Sequence, residues 1–356
     1  MIEFFGILHW NDYSETHPTP FDEVDPDFIA ACARAHEEAG FARVLIANSA
    51  HRPDSLPIAT WAAAATRTLG FMLAHRPGFV APTMAARMFA ILDRMSGGRC
   101  AVHIITGGDD GEVKADGDYT TKDERYRRSH EYVEVLRKTW SSAEPFDHAG
   151  EFYRIEGGFA HVRPSSPGLI PIFWGGSSPA SLEYGARVAD VYAFPGFAAE
   201  ALREPAREVL SRARGLGRTM ELLTSLRVLC AETEAMAWER AHALQDQLIT
   251  EVVDNGRFPA LPGEPRSRTL ARAKAQCTQG ALVGRLWAGI TRVPTGRPAL
   301  GCLVGSHDQV AEALAQYHAL GFGKFIVSGY DPIADARLFG AELFDRTRAR
   351  CTAHVA

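Results

Sequence analysis

The sequence predicts a (β/α)8 barrel of the α/β class, on three observations. Eight short apolar runs alternate with longer helical segments across 356 residues. Most of the runs are rich in β-branched and aromatic residues, as strands covered on both faces require. Several end in loops rich in Gly, Ser, Asn or Thr, which is where such a barrel carries its chemistry. A doubly wound open sheet is the alternative, but no GxGxxG follows the first run.

Ile2 to Leu8 reads as strand one, followed by His9-Trp10-Asn11-Asp12 and a polar loop to Pro26. Phe28 to Ala39 is a helix stopped at Gly40, and Ala42 to Ala47 is strand two, with Asn48-Ser49-Ala50-His51-Arg52-Pro53-Asp54 as its loop. Pro57 to Arg67 is an Ala-rich helix and Leu69 to Ala74 is strand three. Pro82 to Met95 is a helix with Met84, Arg87, Met88, Ile91, Leu92 and Met95 at helical spacing. Pro82 suits its first turn, and Ser96-Gly97-Gly98 ends it because glycine takes the left-handed cap at little cost. Cys100 to Ile105 is strand four, running straight into Thr106-Gly107-Gly108-Asp109-Asp110-Gly111. A long loop from Asp109 to Asp123 leads to a helix from about Glu124 to Trp140, and Gly150 to Val162 is an excursion with short β pieces.

Ile170 to Trp174 is strand five, followed by Gly175-Gly176-Ser177-Ser178 and a helix from Pro179 to Val188. Asp190 to Phe194 is strand six, and Leu202 to Leu216 is a helix closed by Gly217. Leu222 to Cys230 is strand seven, with a helix from Glu234 to Ile249. From about Val252 to Pro298 the pattern breaks; Arg, Gly, Pro and Thr dominate a stretch too long for an ordinary loop. It reads as an insertion that acts as a lid. Asp308 to Leu320 is a helix, Phe325 to Ser328 strand eight, and Asp331 to Phe344 the last helix. The whole chain, 1–356, reads as one domain carrying that insertion.

Composition narrows the function. The net charge of −5 gives no basic footprint for nucleic acid, and no apolar run approaches the roughly 20 residues of a membrane helix. The opening MIEFFGILHW runs directly into a strand and does not read as a signal peptide. Six scattered cysteines without a CxxC pair read as reduced thiols, and the expected location is cytoplasmic. The histidines show no HxH, HExxH or Cys/His metal spacing, and there is neither a GxSxG elbow nor a Walker loop. No metal site is expected.

Four features carry candidate chemistry. Ser177-Ser178, with two glycines before and a helix after, is either a phosphate cradle or a helix cap in a tight turn. Arg125-Tyr126 can pair with a phosphate or be a solvated helix start. His103, two residues before the strand-four end and three before Thr106, is either a core histidine or a site residue. Arg227, Arg292 and Arg297 are cations that suit an anionic substrate or simply the surface.

Together the runs RPGFVAPTMAARMFAILDRMSGGRCAVHIITGG, DGDYTTKDERYRRSHEYVEVLRKTW, FDHAGEFYRIEG, IPIFWGGSS and VSGYDP resemble the bacterial luciferase-like flavin monooxygenases, most of all their alkanesulfonate branch. The resemblance spans nearly the whole chain. It implies a TIM barrel with an insertion after strand seven. It also implies reduced FMN supplied by a separate NAD(P)H-dependent reductase, and substrate oxygenation through a flavin peroxide formed with O2. By position, His103 and Thr106 meet the flavin, Arg125 and Tyr126 lie near the FMN phosphate, and Ser178, beside Ser177, belongs to the phosphate loop. Asn48 and Ser49 fall where strand two meets the isoalloxazine, and Glu112 matches a further contact.

The substrate set departs from that branch. Asn11 stands where those enzymes have a His after strand one, Arg52-Pro53 near their Cys, Ser225 and Arg227 at their Arg and His, and Pro195 at their Trp. Tyr330 is retained and Arg297 lies one place from their lid Arg; Tyr330 and His9 are candidates for proton donation. The resemblance therefore implies a small substrate, anionic or organosulfur, that is not a simple alkanesulfonate, and a homodimer or homotetramer. Two other functions fit the same residues: a deazaflavin-dependent hydride transfer, and a flavin-binding protein without catalysis.

Overall fold

In the computed structural model, residues 2–14, 22–107, 109–165, 170–277, 282–293 and 301–353 are described. In chain order the elements are β1 (Glu3–Ile7), α1 (Pro26–Glu38), β2 (Arg43–Ile46), α2 (Ser55–Ala65), β3 (Gly70–His75), α3 (Pro82–Ser96), β4 (Cys100–Ile104), α4 (Asp110–Ala115) and α5 (Lys122–Ser141). Then come β5 (Phe146–Ala149), β6 (Arg154–Gly158), β7 (Ile172–Gly175), α6 (Pro179–Val188), β8 (Val191–Phe194), α7 (Ala199–Gly215), β9 (Glu221–Ala231) and α8 (Glu234–Asp254). The last are α9 (Arg266–Cys277), β10 (Leu282–Val283), β11 (Leu286–Trp287), β12 (Cys302–Ser306), α10 (His307–Ala319), β13 (Phe322–Ser328), α11 (Pro332–Glu342) and α12 (Phe344–Ala353).

Eight strands pair in parallel in the order β13-β1-β2-β3-β4-β7-β8-β9, and β9 returns to β13 to close the barrel. The helices pack around it, as the alternation of runs predicts. Inside, Phe5, Met72, Ala101, Phe173, Val191, Ala193, Leu223 and Ile326 form a small apolar plug. A much larger core fills the space between the strands and the surrounding helices. Strand side chains alternate between these two cores, so His103, two residues on from inward-facing Ala101, also faces the interior.

Three local expectations differ. The Asp109–Asp123 loop contains α4, because the Asp109 side chain accepts the Glu112 N–H at 2.8 Å and caps it. On α3, of the residues at helical spacing only Leu92 is fully buried. Met84, Ile91 and Met95 are exposed, and Ala85, Ala86, Phe89, Ala90 and Leu92 pack inward, because close approach to the barrel favours small residues. Strand eight begins at Phe322 rather than Phe325. Gly323-Lys324 interrupts its apolar pattern, yet Lys324 is held at the lower rim by Glu3 (2.5 Å) and Glu221 (3.1 Å).

The segment after strand seven carries structure that its composition hides. β9 is eleven residues long; Leu222–Arg227 pairs with β13, and Arg227–Ala231 then leaves the barrel to pair with β12. Cys302–Ser306 is too short and too glycine-flanked to announce itself as a strand, but β11 and β10 extend it antiparallel. α8 continues to Asp254, and α9 packs against it. Leu229, Leu244, Leu248, Trp287, Val304 and Tyr330 belong to a second core beneath these elements.

Arg99, between α3 and β4, ties the lower ends of the elements together. It donates to the Ser96 carbonyl (2.6 Å), the Leu69 carbonyl (2.8 Å), the Ala63 carbonyl (2.9 Å), and the Thr66 hydroxyl (2.9 Å) and carbonyl (3.2 Å). Its guanidinium also lies 5.3 Å from the Phe71 ring centroid. Arg99→Ala is expected to cost about 2–4 kcal/mol by leaving these acceptors unmatched. Urea unfolding with an unchanged midpoint would contradict that role.

Candidate active site

At the C-terminal ends of the barrel strands lies a cavity of about 500 Å³. Leu45, Ala193, Leu223 and Ile326 line its base, continuing the plug upward. Ile105, Thr106 and Gly107 line it after β4, Gly175 to Ser178 after β7, and Phe194 and Pro195 after β8. Lys122 and Tyr126 come from the first turn of α5, His103 from β4 and Ser225 from β9. Lys122 is the one charged side chain among the described residues of this wall.

Two glycines shape it. Gly176 has φ +148, and a Cβ there would collide with the Ser181 hydroxyl and sit 3.1 Å from the Tyr126 hydroxyl. Gly107 has φ +81, and a Cβ would strike Val113 of α4. Both positions need a residue without a side chain, for backbone angle and for room. The Ser178 Oγ accepts the Ser181 N–H at 3.2 Å and caps α6, while Ser177 and Ser178 both stay on the cavity wall. The cap reading therefore holds, and the pair also reaches the cavity. Ser181 itself is buried, bonded to the Tyr192 hydroxyl at 2.7 Å and to the Trp174 indole N–H at 3.1 Å, which fixes the helix start.

His103 is 9% exposed, and its Nδ1 is buried with no hydrogen-bond partner. Burial pushes its pKa down to about 4, so the ring is neutral near pH 7. A buried polar atom left unpaired costs free energy unless something supplies a partner, and His103 is one of the residues that line the cavity.

The matched arginine does not face the cavity. Arg125 is 2% exposed, and Nε donates to the Thr106 carbonyl (2.8 Å), Nη1 to the Thr120 carbonyl (2.7 Å) and Nη2 to Asp110 (2.7 Å). It is neither a solvated helix start nor part of the wall; it fixes the loop that forms the wall. Tyr126 does line the cavity, with its ring stacked against Trp174. Asn48, Ser49 and Glu112 sit behind the lining, around Arg76. Arg76 donates to Asn48 Oδ1 (3.2 Å) and Glu112 Oε1 (3.4 Å) and pairs with Asp116, while Glu112 accepts the Ala50 N–H (3.1 Å) and the Ser49 carbonyl the Arg52 N–H (3.2 Å). The sequence gives no signal for Arg76, which looks like one more polar residue in a Pro-Gly turn.

The sequence profile of the luciferase-like monooxygenases matches residues 4–324. The chain belongs to that family. Several solved structures resemble this luciferase-like chain. A riboflavin lyase, RcaE, solved with a modified FMN and riboflavin, is 19% identical over 98% of this chain and 92% of its own, with a TM-score of 0.78. DmoA from Hyphomicrobium sulfonivorans is 18% identical over 98% and 88%, with a TM-score of 0.76. The EDTA monooxygenase EmoA from Chelativorans sp. BNC1 is 17% identical over 98% and 94%, with a TM-score of 0.72. At such identities the likeness speaks for the fold alone.

The residues assigned to substrate chemistry fall elsewhere. Asn11 is buried and braces its own loop, donating to the Glu23 carbonyl (2.8 Å) and accepting the Tyr13 N–H (3.1 Å). The Arg227 guanidinium lies 4.2 Å from the Tyr330 ring centroid and donates to the Gly329 carbonyl, where β9 parts from β13. Neither of the two is in the described wall. Arg297 lies outside the described residues, as does the Arg292 side chain. Ser225 and Pro195, read only as departures from the alkanesulfonate pattern, are in the wall instead. Among the described residues no group of three or more His, Cys, Asp or Glu could hold a metal ion, and no helix is long and apolar enough to cross a membrane.

His36, His75 and His103 are each pushed by burial from 6.5 to about 4. The unfolded chain therefore binds more protons than the folded one between those values. Stability is in full above about pH 6.5 and falls as pH drops toward 4. His103→Asn is expected to make that fall shallower, read as melting temperature against pH. A curve parallel to wild type would mean that His103 is not held neutral.

Proposed function

We propose that the protein is the oxygenating component of a two-component flavin monooxygenase. It takes reduced FMN from a separate NAD(P)H-dependent reductase and uses O2 to oxygenate a small organic substrate, anionic or organosulfur in character. What carries the reading is the cavity of this family member, walled by His103, Tyr126, Ser177 and Ser178. These features suit a flavin: a polar ring edge for His103, and the Ser177 and Ser178 hydroxyls beside the N-terminus of α6 for a phosphate.

When bound, reduced FMN supplies the electrons that activate O2; one oxygen atom goes to the substrate and the other leaves as water. The chain's own share is binding, orientation and exclusion of water. Leu45, Ala193, Leu223 and Ile326 keep the base of the cavity apolar. His103, neutral near pH 7, meets a polar ring atom without adding charge. Ser178 spends its oxygen on the helix cap and keeps its hydroxyl hydrogen for an anion.

Within the family we place the chain nearest the alkanesulfonate branch by its motifs, but not with that branch's substrate. Ser225 and Pro195 stand in the wall where those enzymes carry an Arg and a Trp, so this wall lacks both the cation and the large aromatic. The test is oxygen uptake by the purified protein with reduced FMN from a flavin reductase, against a panel of sulfides, sulfonates, amines and ketones. One substrate class is expected to raise uptake above the flavin background and to yield a product carrying one atom of ¹⁸O from ¹⁸O2. FMN binding with no product from any class would support the non-catalytic reading; turnover that needs a deazaflavin and no O2 would support hydride transfer.

We also propose that α2 and α3 form the contact between copies of the chain. Met84, Ile91 and Met95 (68% exposed) recur at helical spacing along the outward face of α3, and Trp61 (54%) is exposed on neighbouring α2. Ile91→Glu with Met95→Glu is expected to lower the sedimentation coefficient toward that of a monomer. Wild type and variant sedimenting alike would remove that face as the interface.

A further inference from the structure

We propose that Lys122, rather than Arg125, is the cation that holds the anionic end of the bound cofactor, and that this makes the site selective for a phosphorylated flavin over its unphosphorylated form. The inference rests on the flavin reading above. Arg125 has its three nitrogens committed to two backbone carbonyls and Asp110, and it is buried behind the wall. Turning it toward a ligand would strip the Thr106 and Thr120 carbonyls of their donor and unpin the loop that shapes the cavity.

Lys122 is placed differently. It is the first residue of α5, exposed, and part of the cavity wall. Its backbone position is set by a capping box, in which Thr121 and Glu124 bond each other's backbone N–H groups, so the side chain is not needed to start the helix. No carboxylate lies within ion-pair distance of it among the described residues. Asp110, whose charge it feels, is already paired with Arg125. The same cavity is lined by Tyr126, Ser177 and Ser178 and by His103, whose ring carries a buried nitrogen without a partner. An ammonium on a flexible stem is a point charge that suits a phosphomonoester of −1.5 to −2 without a fixed fork geometry (about those charges at neutral pH). Riboflavin offers Lys122 nothing in exchange for its hydration.

The experiment is anaerobic calorimetric titration of wild type, Lys122→Met and Lys122→Arg with reduced FMN and, separately, reduced riboflavin, at low and high salt. Wild type is expected to prefer FMN, by a margin that shrinks as salt screens the pair. Lys122→Met is expected to lose roughly ten- to a hundredfold in FMN affinity, the worth of one charge-assisted contact, with riboflavin affinity unchanged. Lys122→Arg is expected to keep the preference. If Lys122→Met preferred FMN as strongly as wild type, the phosphate would be held elsewhere and the inference overturned, with the flavin site left standing. If wild type bound neither flavin, the functional reading itself would fail. Circular dichroism of the variants separates a lost contact from a lost fold.

Discussion

One loop backs the wall of the candidate site at Gly107, and three arginines decide the shape of that loop. Residues 109–118 carry Asp109, Asp110, Glu112, Asp116 and Asp118. Left to itself such a segment would repel and extend. Instead Arg76 from the end of β3 takes Glu112 and Asp116, and Arg125 and Arg128 from α5 take Asp110 and Asp118. The pairs differ in weight. Arg128 and Asp118 are both largely buried, 2.5 Å apart, so neither tolerates the loss of the other. Asp110 is mostly exposed, and its pair with Arg125 is the weak one. The arginine that bears it is fixed mainly by the carbonyls of Thr106 and Thr120.

This arrangement explains how the site residues are layered. Thr106, Tyr126, Ser177, Ser178 and His103 reach the cavity because strand ends and helix first turns deliver them there. Asn48, Ser49, Glu112 and Arg125 stand one layer back and hold the loops in register. Residues of both layers lie in the motifs that resemble the flavin monooxygenases, and a sequence comparison does not separate them. Only the direction of each side chain does.

The barrel was legible because its signal is repeated: eight runs, each with a helix behind it, and period-two alternation that puts Ala101 and His103 on one side of β4. What escaped was decided by contacts between distant segments. β12 takes its place from pairing with β9, over seventy positions earlier in the chain, and five residues flanked by glycine carry no trace of that. The outward face of α3 defied its spacing, since Met84, Ile91 and Met95 would suit a core and the barrel took the alanines. Lys122 had a readable helix-start signal in Thr121-Lys122-Asp123-Glu124, but nothing in those four residues says which way the lysine turns.

The plug inside the barrel has its own consequence. Phe5 and Phe173, 5.8 Å between ring centroids, line a second cavity at the opposite, charged mouth, while Leu223 and Ile326 cap the same plug from above. The upper chamber is thus blind at its base. Whatever enters it must leave by the same rim.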